Sequence, residues 1–350
     1  MDDRPPFGTV LDTLDGLNLP HGTQPSALPH KEWQHFSLVD KSNGLHAIVN
    51  LNLASPGGAG SSAGAARVLT AIWEQDHGWH GDIDTIPQPE LGLVRHRIDM
   101  RMGSTALSFD GKAYYLRVAN RRGTIEGELT FHPLVAPLMM RNNTPVGHGH
   151  INWLVVPRLA VDGRLRIEDR IYHVDGSPGY HDHNWGSWNW GDDFAWEWGF
   201  AVAETTGSES PRAVVFDRTT DRSRLAVKEL TMAVWEGDAL SRVFTRREIA
   251  VRAEGFLRCG RLLKLPRIMA LVEPQQTHDI PARFTMSARE NSDYLEAEFR
   301  PEQGMQVIVP NDVDLQNTII NEVLGRFSAR GMIKGQPVTF SGHSFFEFLT

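Results

Sequence analysis

From Trp33 onward the chain reads as short runs in which apolar and polar residues alternate. They include HAIVNLNL (46–53), LVRHRIDM (93–100), STALSFD (104–110), YYLRVAN (114–120), TIEGELTF (124–131), INWLVVPRLAV (151–161) and RLRIEDRIYHV (164–174). A period of two sends successive side chains to opposite faces of a strand, so each run offers one apolar face to a core. Glycine-bearing pairs, Asp110-Gly111, Arg122-Gly123 and Asp162-Gly163, separate many of the runs and predict tight turns. Beyond a polar stretch, TTGSESPR (205–212), strand-like runs resume: AVVF, LAVKELTMAVWE, RVFTRREIAV, RIMALVE, ARFTMSARE, YLEAEF and MQVIV. In the closing segment the same alternation puts Phe345 and Glu347 on the face opposite Phe346 and Phe348.

This pattern predicts an all-β chain with few short helices. At 350 residues it exceeds one ordinary domain. The expected division is an irregular N-terminal arm over 1–30, a first β domain over 31–203 and a second over 204–350, joined through the polar stretch. The arm, rich in proline, glycine and aspartate, is expected to lie over the surface and to hold no site. A glycine-rich segment, SPGGAGSSAGAARVLTAIW (55–73), lacks the lysine–serine pair of a phosphate-binding loop and is followed by no βαβ alternation. It reads as a loop leading into one amphipathic helix.

Composition narrows the function. A net charge of −8 with no basic run gives no field for phosphate backbones, so nucleic acid is not an expected partner. The single cysteine, Cys259, cannot form an internal disulfide, and the N-terminus has no apolar segment behind a basic one, which together suit the cytoplasm. No apolar run is long enough to span a bilayer, so any membrane contact would be peripheral.

The chemistry concentrates in GYHDHNWGSWNWGDDFAWEWGF (179–200), which holds five tryptophans, two histidines, four acidic residues and one tyrosine. Taken as two strands around a turn, alternation places Tyr180, Asp182 and Asn184 on one face and His181, His183 and Trp185 on the other. It also lines up Phe194, Trp196, Trp198 and Phe200. Three readings compete. Tryptophans can simply fill a core, but a core does not call for Tyr, His, Asp, His and Asn in unbroken sequence, each needing a partner if buried. The pair His181 and His183, echoed by His148 and His150, has a spacing found in metal sites, yet no third-ligand motif accompanies it. The third reading is acid catalysis. A carboxylic acid among apolar rings is kept protonated by desolvation and can protonate a carbon–carbon double bond. Tryptophan faces then stabilise the cation by about 0.5–2 kcal/mol each.

GYHDHNWG (179–186), with Trp153 in INWLVV and the run PRLAVDGRLRIEDRIYHVDGSPG before it, resembles the signature region of the carotenoid 1,2-hydratases, or hydroxyneurosporene synthases. These belong to an AttH-like, lipocalin-type superfamily that also includes kievitone hydratase and fungal pericyclases of the Diels–Alderase type. The likeness extends weakly from EWQHF near residue 32 to FFEF at the end. It implies two consecutive lipocalin-like antiparallel β-barrel domains and a hydratase that uses no cofactor, with Asp182 as the acid and Tyr180 assisting it. The upstream His-x-Trp pair of the pattern is only half present: Trp153 matches, whereas Ile151 stands where the histidine would be, unless His150 replaces it from a shifted register.

The expectation is therefore an acid-catalysed enzyme that adds water to a double bond of an isoprenoid or polyene-like lipophilic substrate. Asp182 and Tyr180 would be catalytic. Trp153, Trp185, Trp196 and Trp198 would line the pocket, and Asn184 or His183 would place the water. A cyclase using the same pocket and a non-catalytic carrier of lipophilic molecules are the alternatives.

Overall fold

A computed structural model of the chain describes residues 7–20, 28–55, 65–202, 212–258, 262–272 and 279–349. Cys259, most of the glycine-rich loop and nearly all of the 205–212 stretch lie outside the described residues. Strands dominate, as alternation predicts, and they form two sheets that divide the chain at Asn189 and Trp190.

The first unit contains β1 (His30–Asp40), β2 (Leu45–Ser55), β3 (Ala65–Glu74), β4 (Gly78–Ile86), β5 (Leu91–Leu93), β6 (Asp99–Met102), β7 (Thr105–Phe109), β8 (Tyr114–Ala119), β9 (Ile125–Pro133), β10 (Leu138–Val146), β11 (Gly149–Ile167) and β12 (Arg170–Ser187). Their order is β4-β3-β2-β1-β12-β11-β9-β8-β7-β6-β5, with β10 paired to β11. The sheet wraps one apolar core that includes Phe36, Leu38, Val49, Leu51, Leu116, Phe131, Leu154 and Val156. The long pair β11 and β12 therefore lies near the middle of the sheet, between β1 and β9.

The second unit contains β13 (Ala195–Val202), β14 (Arg212–Thr220), β15 (Val227–Glu236), β16 (Ala239–Thr245), β17 (Ile249–Glu254), β18 (Leu263–Leu265), β19 (Arg283–Glu290), β20 (Asp293–Pro310), β21 (Asn317–Ile333) and β22 (Gln336–Leu349). The order is β16-β15-β14-β13-β22-β21-β20-β19-β17. Pairing is antiparallel except where β18 runs parallel to β20. Its core gathers Phe216, Phe244, Phe284, Phe299, Phe346 and Phe348. Gly199 permits this packing, because a Cβ there would collide with the Phe346 ring.

Several expectations change. The 1–30 arm is not wholly irregular: α1 (Gly8–Leu14) forms within it, and Leu11 and Leu17 are fully buried in the first core. Two leucines six residues apart are too sparse to register as periodicity. Residues 65–73 form strand β3, not a helix, because ten cross-strand pairs with β2 override local propensity. Asp162-Gly163 is a bulge inside continuous β11, with Gly163 at φ 143, and the hairpin turns at Glu168, φ 54. RIMALVE carries a short helix, α2 (Met269–Val272), in place of a strand. The unit division falls ahead of the expected 203/204 boundary, since β13 pairs with β14 and β22 of the second sheet. No helix among the described residues is long and apolar enough to cross a membrane.

Candidate active site

Strand β12 carries the motif, and its pleat sorts the residues as alternation requires. Cross-strand partners point to the same face. On one face Phe36 sits opposite His181, Gln34 opposite His183 and Glu32 opposite Trp185; on the other, Ser37 opposite Tyr180, His35 opposite Asp182 and Trp33 opposite Asn184. From β11, Trp153 joins Asn184 and Val155 joins Asp182 on the second face.

The first face looks into the core and holds a charged network. His181 stacks on Phe36 with ring centroids 4.2 Å apart and puts Nε2 2.9 Å from Asp15 Oδ2, while its Nδ1 donates to the His35 carbonyl at 2.9 Å. His183 lies between two carboxylates, with Nδ1 3.1 Å from Asp15 Oδ1 and Nε2 2.9 Å from Glu32 Oε1. The Tyr114 hydroxyl donates to Asp15 Oδ2 at 2.6 Å, and the Asn18 amide donates to Glu32 Oε1 at 2.7 Å. Burial alone would push the Asp15 carboxyl up, but His181 and His183 hold it well below the usual carboxylate range. Against the same burial, hydrogen bonds from His183 and His30 bring Glu32 to about 2. Burial likewise opposes charge on His183, yet Asp15 and Glu32 raise it to about 9. It is an imidazolium clamped by two anions, and it ties the segment after α1 into the first core.

The second face holds Asp182. Asp182 is 1 % exposed; Asn184 Nδ2 donates to its Oδ1 at 2.8 Å and the Tyr180 hydroxyl donates to its Oδ2 at 2.9 Å. The amide can only donate, so it fixes Oδ1 as an acceptor. A hydroxyl both donates and accepts, so the Tyr180 contact serves equally when Oδ2 carries a proton and donates to the phenol. Asn184 thus lies at Oδ1 and Tyr180 at Oδ2. His35, edge-on to Tyr180 at 6.3 Å between ring centroids, places Nε2 2.8 Å from Ser37 Oγ. Burial, reinforced by the charge of His181, pushes His35 down to about 3.

Of the residues predicted for the site, Asp182, Tyr180, Asn184 and Trp153 come together. His183 and Trp185 do not: His183 is committed to Asp15 and Glu32, and Trp185 packs against the first core with its ring 4.5 Å from His183. A water-placing role for His183 at Asp182 is therefore ruled out by the pleat. His150 pairs with Ser187 and shares the face of Asn152 and Leu154, so it cannot stand in for a histidine beside Trp153.

Trp196 and Trp198 belong to the second unit, because the two halves of the motif are not one hairpin. The aromatic row is real: Phe194 stacks with Trp196 at 5.5 Å and Trp198 with Phe200 at 6.4 Å. It lies on the face opposite the second core, where Asp217, Trp198, Glu347 and Glu322 form one cross-strand row. The Trp196 indole N–H donates to Glu347 Oε1. Burial pushes the Glu347 carboxyl up, against hydrogen bonds from Trp196, Glu322 and Trp198. By contrast Glu197, on the core side of β13, has Arg218 and Arg224 at 3.4 Å.

Sequence reasoning missed Asp15, Glu32 and His35. Each lies on a segment whose partner is more than a hundred residues away. Only the odd density of polar residues in the motif hinted that partners must exist.

Fold and site together define an all-β protein of two antiparallel units, with an acid, a phenol and an amide converging on a buried face of the first. No family model and no curated protein matches the chain. Solved structures do share its fold. An AttH-type protein from Nitrosomonas europaea superposes with a TM-score of 0.64 at 13% identity, covering 95% of this chain and 96% of that one. Kievitone hydratase from Nectria haematococca gives 0.57 at 11% identity, over 96% and 94%. CghA, solved with Sch210972, gives 0.61 at 13% identity, over 93% and 89%.

Proposed function

We propose that this chain is an acid-catalysed enzyme acting on a carbon–carbon double bond of a lipophilic, isoprenoid or polyene-like substrate, most simply by adding water. The observation that carries this reading is the pair of contacts on Asp182, in which Asn184 occupies one oxygen and Tyr180 attends the other. Protonation of an alkene needs a carboxyl group with its proton on a known oxygen and a second polar group to orient it. It also needs surroundings that do not quench the cation, and Trp153 on the same face supplies an aromatic surface. No cofactor is required for such a step. The shared fold with kievitone hydratase supports the reaction class.

A second reading follows from the same atoms. A neutral Asp182 can hydrogen-bond a substrate carbonyl and steer a cyclisation, which suits a fold shared with CghA. The products decide between the two. Small molecules that co-purify with the protein from its host, incubated with fresh enzyme in H2(18)O, should gain one water carrying the label under the first reading. A product of unchanged mass selects the second. Recovery of the ligand unaltered would leave a carrier.

A further inference from the structure

We infer that the exposed residues flanking β18, Phe256 and Arg258 before it and Arg267, Ile268 and Leu271 after it, dock on an anionic lipid surface. Such docking neither requires nor follows from the chemistry proposed for Asp182, although it would bring the protein to the phase in which a lipophilic substrate dissolves.

The sequence marks this stretch. In GFLRCGRLLKLPRIMALV (255–272) basic residues recur at 258, 261, 264 and 267 and no acidic residue occurs, within a chain that carries 43 acidic residues and a net charge of −8. Strand β19 covers β20 only over Asp293–Phe299, and β18 takes its place, running parallel, beside Met305–Val307. One side of the stretch is anchored: Leu257 packs on the second core, and Leu262, Lys264 and Leu265 are buried. Other side chains stay outside. Phe256 is 61 % exposed, Ile268 62 % and Leu271 77 %, and Arg258 and Arg267 are exposed close to them in the chain. The Leu271 amide donates to the Ile268 carbonyl at 3.0 Å, so these two residues share one face of a helical turn.

Large apolar side chains held in water mark a contact surface, and their charge setting selects the partner. Anionic headgroups above acyl chains accommodate both kinds of residue at once, since arginines stay among the phosphates while their apolar neighbours bury in the acyl boundary. The acids of adjoining strands are committed elsewhere: Glu254 to Arg252 at 2.7 Å and Arg283 at 3.4 Å, Glu298 to Arg283 and Arg300, and Glu302 to Arg326 at 2.9 Å. A protein partner calls for a closely complementary patch, whereas a fluid bilayer takes up residues presented from a strand end and a single helical turn.

Flotation of the full chain with vesicles of phosphatidylcholine, with and without phosphatidylglycerol, tests the assignment. Wild type should bind the mixed vesicles at least about tenfold more tightly than phosphatidylcholine alone, and added salt should erase that margin. Arg258→Gln combined with Arg267→Gln should lose about tenfold on the mixed vesicles and little on phosphatidylcholine. Ile268→Ser combined with Leu271→Ser should lose about tenfold on both, the scale of one large side chain withdrawn from an apolar medium. These positions are exposed, so native melting is expected throughout. Should the serine pair melt early, Leu271→Trp decides, because an indole at the interface strengthens the binding of a folded variant. Asp182→Asn should bind as wild type does, which separates the outcome from the chemistry of the first unit. Absence of wild-type binding, binding undiminished in either paired variant, or binding not strengthened by Leu271→Trp overturns the assignment. So does a wild type that ignores vesicles and self-associates until the serine pair makes it monomeric in analytical ultracentrifugation, which would give the surface to a second copy.

Discussion

The two faces of β12 solve the problem of burying polar groups in opposite ways. On the core face every charge has a counter-charge: His183 is held as a cation by Asp15 and Glu32, and the whole network is fixed by Tyr114 and Asn18. On the other face, one residue away along the strand, Asp182 accepts from a phenol and an amide, and the imidazole across the strand pair, His35, is kept neutral by burial. The contrast teaches that residue type does not set charge here. Histidine appears on both faces, and the same burial leaves His183 a cation between two carboxylates and His35 a neutral ring.

The largest effect should come from breaking the core face. Asp15→Ala leaves the imidazole of His183 facing a vacated carboxylate in a dry interior, and removing one member of a buried ion pair costs about 3–5 kcal/mol. Urea denaturation should register that loss, whereas Asp182→Asn should change stability by less than about 1 kcal/mol. Equal costs would erase the distinction between the faces.

Stability against pH should carry both signatures. His183 has a folded value raised to about 9, so its contribution is complete below the ordinary histidine value of ~6.5 and is lost as pH rises through about 9, on the order of 3 kcal/mol in all. His35 has a folded value lowered to about 3. Its neutral form is favoured by folding, so stability falls as pH drops from ~6.5 toward about 3. Glu32 adds to the acid limb from ~4.5 down through about 2. Thermal unfolding across pH should therefore peak near the histidine value, and His35→Gln should flatten the acid limb while sparing the alkaline one. A profile unaltered by His35→Gln would contradict the neutral imidazole.

Under the proposed function, breaking the Asp182 face should alter rate. Asp182→Asn preserves size and the contacts with Tyr180 and Asn184, so ligand binding should stay within a few-fold. Turnover should fall at least about a hundredfold, equivalent to roughly 2.7 kcal/mol. Single-turnover kinetics on the co-purified substrate would show it. Full activity in this variant would remove Asp182 from the mechanism.

The smallest effect sharpens the comparison from the second unit, where Glu347 and Glu322 are cross-strand neighbours. A carboxyl whose folded value is raised destabilises the fold as pH climbs through that value. Glu347→Gln should relieve this, since an amide oxygen still accepts from Trp196 and no charge is buried, raising the melting temperature at pH 8 by ~2–4 °C, or about 1 kcal/mol, and leaving pH 5 nearly unchanged. A loss at pH 8 would mean that the Glu347 carboxylate is stabilised by its partners.

Much of this protein was legible from alternation alone. The all-β class, most strands of the first unit, the split of GYHDHNW into Tyr180, Asp182, Asn184 against His181, His183, Trp185, and the split of Glu347 from Phe346 and Phe348 all follow from the pleat. Pleating is local geometry, written at every second residue. Pairing is not. That β12 lies between β1 and β11 while β13 turns to β22, that Asp15 reaches His183, and that His35 faces Asp182 depend on which strands share hydrogen bonds. Those choices are set by the burial of whole faces across a sheet and leave no mark at the spacing of a motif. The sequence determined which side chains share a face. Only the tertiary structure decided which faces meet, because the free energy that selects partners comes from apolar surface closed between segments far apart in the chain.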